Sequence, residues 1–280
     1  MTEMTYGIVA GYDGSPGSGD ALRWAAREAK ARGTTLTVCL AWLPDHMTLP
    51  TESDFTDLAR QHGQVILARG LPYAESVLGP GRVATALAGG SAAHALCERS
   101  RTADMVVVGS RGHSELPGLL LGSVSWQVAG HASGRVVVVR GEWRPANRPP
   151  GPIVTGSDGS PASQAAVAFA FEEAALRDVP LVAVCALTDA PGRFGEGHQV
   201  EEDFGQLIAY ETKEHPDVTV VRRVVAGTPR AALLTAAADA QMLVVGARGR
   251  GGLEDMSLGS VAQAVLHHAP CPVGIVHPAS

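Results

Sequence analysis

Short apolar runs alternate along the chain with longer stretches in which small apolar residues recur at helical spacing. β-forming runs at residues 6–10, 36–42, 82–88, 104–108 and 135–140 predict strands. Between them, residues 18–31 place Ala21, Leu22, Ala25, Ala26 and Ala29 on one helical face, and 91–100 and 124–132 also read as helices. Residues 44–51 read as a loop. Residues 53–77 predict a weaker helix, broken by Gly63, Gly70 and Pro72.

Four prolines within 141–152 interrupt this order and read as a linker. The pattern then restarts. Strands are predicted at 181–187, 218–225, 242–245 and 273–277, helices at 163–177, 200–215, 229–240 and 261–268, and a loop at 188–197. Each half is therefore βαβαβαβαβ, giving expected domains at 1–140 and 153–280. Strands that are mostly unbroken apolar runs between helices favour open parallel sheets covered on both faces, an α/β, Rossmann-like class. In such sheets ligands bind outside the strand C-termini, near the switch in strand order.

The repeat carries two signatures. The turn Asp13-Gly14-Ser15-Pro16 returns as Asp158-Gly159-Ser160-Pro161, 145 positions on. Gly109-Ser110-Arg111-Gly112, nine residues, Gly122-Ser123 returns as Gly246-Ala247-Arg248-Gly249, nine residues, Gly259-Ser260, 137 positions on. The second half is thus eight residues shorter somewhere between its first and fourth strands. A strand that ends in glycine and re-enters a helix at Gly-Ser suits a phosphate cradle: glycine admits close approach, and the first helical N–H groups are free to hold an anion. The competing reading is a loop that uses glycine only to turn. The motif is no P-loop, since no Gly-Lys-[Ser/Thr] follows, and it is not GxGxxG.

Arg111 and Arg248 either clamp phosphate or are solvated loop arginines. Ser123 and Ser260 are candidate N-caps that also suit phosphate binding. Ser125 adds a hydroxyl where the second half has Ala262. Asp13 and Asp158 read first as turn and cap residues, and otherwise as acceptors for a ribose or base. Glu115, Glu254 and Asp255 are candidate magnesium ligands or exposed loop acids. The histidines, His267-His268 included, form no catalytic or metal-binding constellation. A Gly112→Val change is expected to weaken binding with little loss of stability.

Composition narrows the partners. The 280 residues are 45% hydrophobic and 18% charged, with a formal net charge of −6. That balance argues against nonspecific binding to nucleic acid or an anionic membrane. Residues 1–6 lack signal-peptide features, and no apolar run approaches the roughly 20 residues that span a bilayer. Cys39, Cys97, Cys185 and Cys271 form no CxxC and read as small buried hydrophobes. A cytoplasmic setting is expected.

The Asp-Gly-Ser-Pro turns, the paired G-x2-G-x9-G-S motifs and Ala269-Pro270-Cys271-Pro272-Val273 together resemble the universal stress protein family in its tandem two-domain form. The resemblance covers nearly the whole chain. It implies adenine nucleotide alpha hydrolase-like domains with five-stranded parallel cores, and the glycine motif resembles that of the family's ATP-binding branch. By position it implies ATP, carried with magnesium, held by Asp13, Gly14, Ala41, Gly109, Arg111, Gly112, Gly122, Ser123, Val124 and Ser125. The matching set is Asp158, Gly159, Ala186, Gly246, Arg248, Gly249, Gly259, Ser260 and Val261, and both sites are expected to bind. It further implies pairing of 136–139 with 273–276 within a chain or in a homodimer, and an unidentified protein partner. Residues 131–135 depart from the family's usual turn. The expected role is a nucleotide-dependent regulator of stress or growth with at most weak ATP hydrolysis; a slow ATPase, or an interaction module with vestigial sites, are the alternatives.

Overall fold

The computed structural model describes residues 7–42, 53–112, 121–140, 151–187, 196–250 and 257–278, with the side chains of 53–56 and 196–198 left aside. The chain divides into two compact units, Met1–Arg140 and Gly141–Ser280. The expected loop at 44–51 lies outside the described residues, as do 141–150 of the expected linker and 188–195 of the second loop.

Unit one runs β1 (Ile8–Gly11), α1 (Pro16–Ala31), β2 (Leu36–Ala41), α2 (Ser53–Leu78), β3 (Val83–Ala88), α3 (Ala92–Ser100), β4 (Met105–Gly109), α4 (Ser123–His131) and β5 (Arg135–Val139). Its strands are parallel in the order β3-β2-β1-β4-β5. Unit two runs β6 (Ile153–Gly156), α5 (Pro161–Arg177), β7 (Leu181–Leu187), α6 (Glu196–Glu214), β8 (Val220–Ala226), α7 (Pro229–Ala236), β9 (Met242–Gly246), α8 (Ser260–His268) and β10 (Val273–Val276). Its parallel order is β8-β7-β6-β9-β10. In unit one α1 packs on α2 and α3 on α4; in unit two α5 packs on α6 and α7 on α8. The central strands are buried on both sides: Ile8, Val106, Val107, Ile153 and Val244 are fully enclosed. That explains why they read as unbroken apolar runs. The edges differ, for β8 leaves Arg222 and Arg223 exposed, a common way to blunt a free strand.

Strand order reverses between β1 and β4 in unit one and between β6 and β9 in unit two, the place where open parallel sheets of this kind bind ligands. Both signatures sit there, the Asp-Gly-Ser-Pro turns after β1 and β6 and the glycine motifs after β4 and β9.

The expected break in the second helix does not occur. α2 is continuous for 26 residues with Pro72 inside it. Its buried stripe is Gly63, Leu67, Gly70, Ala74 and Leu78, a single helical face. The two glycines belong to that stripe because larger residues would not fit. A Cβ at Gly63 would come 2.8 Å from Leu87 and 3.5 Å from Trp42 Cβ. One at Gly70 would come 2.9 Å from both Leu22 and the Tyr12 ring. Burial against the sheet and α1 offsets the backbone hydrogen bond that Pro72 removes, a loss of about 3 kcal/mol. Register places the eight extra residues of unit one between β2 and β3, and most are in this helix, 26 residues against 19 in α6. α7 is shorter than expected and ends at Ala236.

Candidate nucleotide crevice

In unit one the strand ends enclose a cleft of about 480 Å³. One wall is β1 and its turn: Gly11, Tyr12 and Asp13, with Ser18 behind them. A second is the end of β2, from Cys39 to Trp42. Ala92 and Leu96 of α3 form an apolar side. The glycine motif closes the cleft with Gly109, Arg111 and Gly112, and then with Gly122, Ser123, Val124 and Ser125 at the start of α4. The structure thus brings Asp13, Ala41 and the motif residues to one place. Gly14 lies outside the lining. Its φ of +85° accounts for glycine there, as +79° does for Gly159.

The glycines of the motif serve different purposes. A Cβ on Gly109 would meet the Gly17 carbonyl of α1 at 2.5 Å, and one on Gly246 would meet Ala162 and Ser163 of α5 at 2.7–2.9 Å. Both glycines let the strand end pass beneath the first helix. A Cβ on Gly112 would sit 2.7 Å from Asp13 Oδ2, and one on Gly249 would collide with Asp158 Oδ2. These join the motif to the Asp turn. Gly122 and Gly259 are different. Among the described residues a Cβ on either meets nothing closer than 3.5 Å, which is ordinary contact. Their φ, ψ of −79°, 158° and −71°, 159° suit any residue.

Those two glycines are also the N-caps of α4 and α8, and neither helix has a side-chain cap bond. The expectation of caps at Ser123 and Ser260 is thereby corrected: each is the first helical residue and is exposed, while the extended cap residue is the preceding glycine. The first helices are capped fully. Ser15 Oγ accepts from Ser18 N–H and Ser160 Oγ from Ser163 N–H, both at 3.3 Å. The caps there are these serines and not the aspartates. Asp13 Oδ1 accepts the Ser15 N–H at 2.9 Å, and Asp158 Oδ1 the Ser160 N–H at 3.0 Å, so each aspartate shapes the turn that presents the serine. Ser125 is buried, and its hydroxyl donates to the Gly109 carbonyl at 2.5 Å, tying α4 to the end of β4. Arg111 is exposed at the mouth. Burial raises the Cys39 thiol pKa against the lowering effect of Arg99, so Cys39 contributes to the cleft as a neutral side chain.

In unit two, Asp158, Ala186, Gly246, Gly249, Gly259, Ser260 and Val261 occupy the same strand ends and helix start. Arg248 is exposed, and its carbonyl accepts from Ser160 Oγ at 3.3 Å. Arg250 is a further resident. Its N–H donates to Asp158 Oδ2 at 2.8 Å, its guanidinium lies against Gly159, and it reaches Asp203 of α6 at 3.4 Å. Burial works to raise the Asp158 carboxyl, but hydrogen bonds from Ser160, the Arg250 N–H and Ser163 outweigh it and hold the pKa below the ordinary carboxylate value. Glu115, Glu254 and Asp255 lie outside the described residues. Among the described residues no group of three or more His, Cys, Asp or Glu is placed to hold a metal.

Tyr12, Trp42, Ala92 and Leu96 were not anticipated from the sequence. Trp42 stands one position past Ala41, and Tyr12 one before Asp13, so adjacency to the predicted residues was the available signal.

A model of the universal stress protein family matches residues 4–140 and again 151–277. A universal stress protein of Mycolicibacterium smegmatis is 36% identical over 290 residues, covering 98% of this chain and 97% of that protein. Another, from Mycobacterium tuberculosis strain H37Rv, is 37% identical over 301 residues, covering 97% and 95%. Among solved structures, a universal stress protein from Archaeoglobus fulgidus superposes with a TM-score of 0.74 at 19% identity, covering 99% of this chain and all of that one. The family model matches the chain twice, once in each unit, and the chain belongs to the universal stress protein family.

Proposed function

We propose that this universal stress protein binds ATP, as its magnesium complex, in the crevice at the C-terminal ends of its strands, and that occupancy regulates how the chain engages a partner in stress or growth control. The observation that carries the reading is the pair Gly122 and Gly259. At these positions the described residues leave room for a Cβ and the helix lacks a side-chain cap, yet glycine is present. Close approach of an anionic ligand to the first N–H groups of α4 and α8 gives glycine there a purpose. The cleft in unit one, about 480 Å³, is within the range of small-molecule and cofactor sites. Its triphosphate would meet Gly112, Gly122 and the N–H groups of Ser123 and Val124, with Arg111 at the mouth. Asp13 and the β2 end at Ala41 would face the nucleoside.

Freshly purified protein, denatured and examined by mass spectrometry, should release adenine nucleotide, and calorimetry on the emptied protein should show ATP binding. Neither signal appearing would sink the proposal. Holding is separated from cleaving by phosphate release. The proposal expects wild type and a Gly122→Val, Gly259→Val double variant to release phosphate at the same slow rate.

A further inference from the structure

Two aromatic residues border the unit-one cleft, and neither has an aromatic counterpart in unit two. The strand register gives the correspondence: Gly11 pairs with Cys39 in one sheet and Gly156 with Val184 in the other. Tyr12 therefore matches Ser157, and Trp42 matches Leu187. Both aromatics line the cleft. Both also lie against glycines. The Nε1–Cε2–Cζ2 edge of the Trp42 indole lies 3.5–3.7 Å from where a Cβ of Gly89 would be. Trp42 Cβ stands over Gly63, and the Tyr12 ring packs on Gly70. Of these glycines only Gly70 is required by a ring, since a Cβ there would stand 2.9 Å from Tyr12, whereas Gly63 and Gly89 lie in ordinary contact with Trp42 and help to position it.

At the corresponding positions unit two is arranged otherwise. Ser157 turns inward: its Oγ lies 3.1 Å from Ser163 Oγ and accepts the Gly159 N–H at 3.1 Å. Leu187 is aliphatic, and the Arg250 guanidinium lies against Gly159 beside the Asp turn.

Resting on the nucleotide-binding reading above, we infer that the two units are unequal receptors. Unit one reads the planar base of its ligand with Trp42, supported by Tyr12, and is the tight site. Among the described residues unit two offers the same glycines without an aromatic wall, and it binds weakly. Stacking on an aromatic face strengthens binding of any flat base and does nothing for a bare polyphosphate. Trp42 is accordingly a specificity residue for nucleotide over inorganic triphosphate.

The test is calorimetric titration of the full-length protein with ATP and, separately, with inorganic triphosphate. Wild type should show one tight ATP site per chain and a second site at least about tenfold weaker. Trp42→Ala should lower affinity at the tight site roughly tenfold or more, the scale of one lost base–aromatic stack, and leave triphosphate affinity unchanged. Trp42→Phe should recover most of the ATP affinity. Two equal ATP sites, or a tight site indifferent to Trp42→Ala in protein with an unchanged melting temperature, would overturn this inference while leaving nucleotide binding intact. Equal losses for ATP and triphosphate would also overturn it, because they would mark Trp42 as a support of the cleft and not a reader of the base. A complete lack of ATP binding overturns both readings together.

Discussion

Where the first two strands of each unit end, unit one presents Tyr12 and Trp42 and unit two presents Ser157 and Leu187. The geometry around the glycine motif, by contrast, is nearly a copy. Both units cap the first helix with serine, both pass a glycine beneath it, and both begin the fourth helix at a glycine without a side-chain cap bond. Duplication has kept the part that a polyphosphate would use and has let the part that a base would use diverge. The difference teaches that motif identity does not imply equal sites. The glycine motif constrains the backbone, whereas the aromatic wall depends on side chains at the ends of β1 and β2 that rest against α2.

The most severe way to break this comparison is to fill the cradle. Gly122→Val should weaken ATP binding at the tight site about 30- to 100-fold, the scale of losing hydrogen bonds to a charged group. It should cost about 1 kcal/mol of stability, the scale on which valine is a poorer N-cap than glycine, because among the described residues the added Cβ has ordinary neighbours at 3.5 Å and beyond. Gly259→Val should remove only the weaker binding phase. Calorimetry and thermal melts of the two variants read both quantities. Equivalent losses from either change would erase the distinction between the units.

Gly112→Val tests a different joint. From sequence it is expected to spare the fold, but its Cβ would stand 2.7 Å from Asp13 Oδ2. The variant should lose about 1–3 kcal/mol of stability by overpacking and lose binding as a consequence of a displaced Asp turn. A denaturant melt equal to wild type would show that the turn yields without strain.

The alternation of strands and helices was legible because the strands are buried on both faces and the first helices carry alanine stripes. What was not legible depends on contacts distant in sequence. Gly63 and Gly70 read as breakers in a hydrophobic pattern, yet they lie on the buried stripe of α2 and make room for Leu87 and for Leu22 and Tyr12. The glycine motif was visible as a motif. Its internal division, with Gly109 spent on α1, Gly112 on Asp13 and Gly122 on neither, requires knowing what a Cβ at each would meet. The helix caps were misplaced by a residue or two for a related reason: Ser123 has the side chain of a cap, but the backbone gives the cap conformation to Gly122. Trp42 could not be assigned to the cleft from its own neighbourhood, because the surfaces that position it come from α2 and the turn after β3.

A smaller effect sharpens the comparison at the base of the fourth helix. Ser125 donates to the Gly109 carbonyl inside unit one, and Ala262 stands there in unit two. Ser125→Ala should cost about 1 kcal/mol of stability. It should leave the triphosphate affinity of unit one close to wild type if the hydroxyl serves to anchor α4. A loss of triphosphate affinity larger than the loss of stability would instead assign the hydroxyl to the ligand and make Ser125 a further difference between the two receptors.

The smallest expected effect is a pH dependence confined to the turn of unit two. Burial opposes ionisation of Asp158, but the bonds from Ser160, the Arg250 N–H and Ser163 prevail and lower its folded pKa. A free aspartate titrates near 3.9. The carboxylate therefore adds stability that is fully present above about that pH and is lost as pH falls through the lower folded value. Chemical denaturation followed from pH 7 to pH 3 should show unit two losing stability more steeply in wild type than in Asp158→Asn, which no longer has a group to protonate there. Arg250→Ala keeps its backbone N–H and so should retain most of the acid dependence, while freeing Gly159 from the guanidinium. If Arg250→Ala instead abolished the acid limb, the side chain and its exposed pairing with Asp203 at 3.4 Å would be what holds Asp158 ionised, and the turn of unit two would have to be redrawn around that arginine.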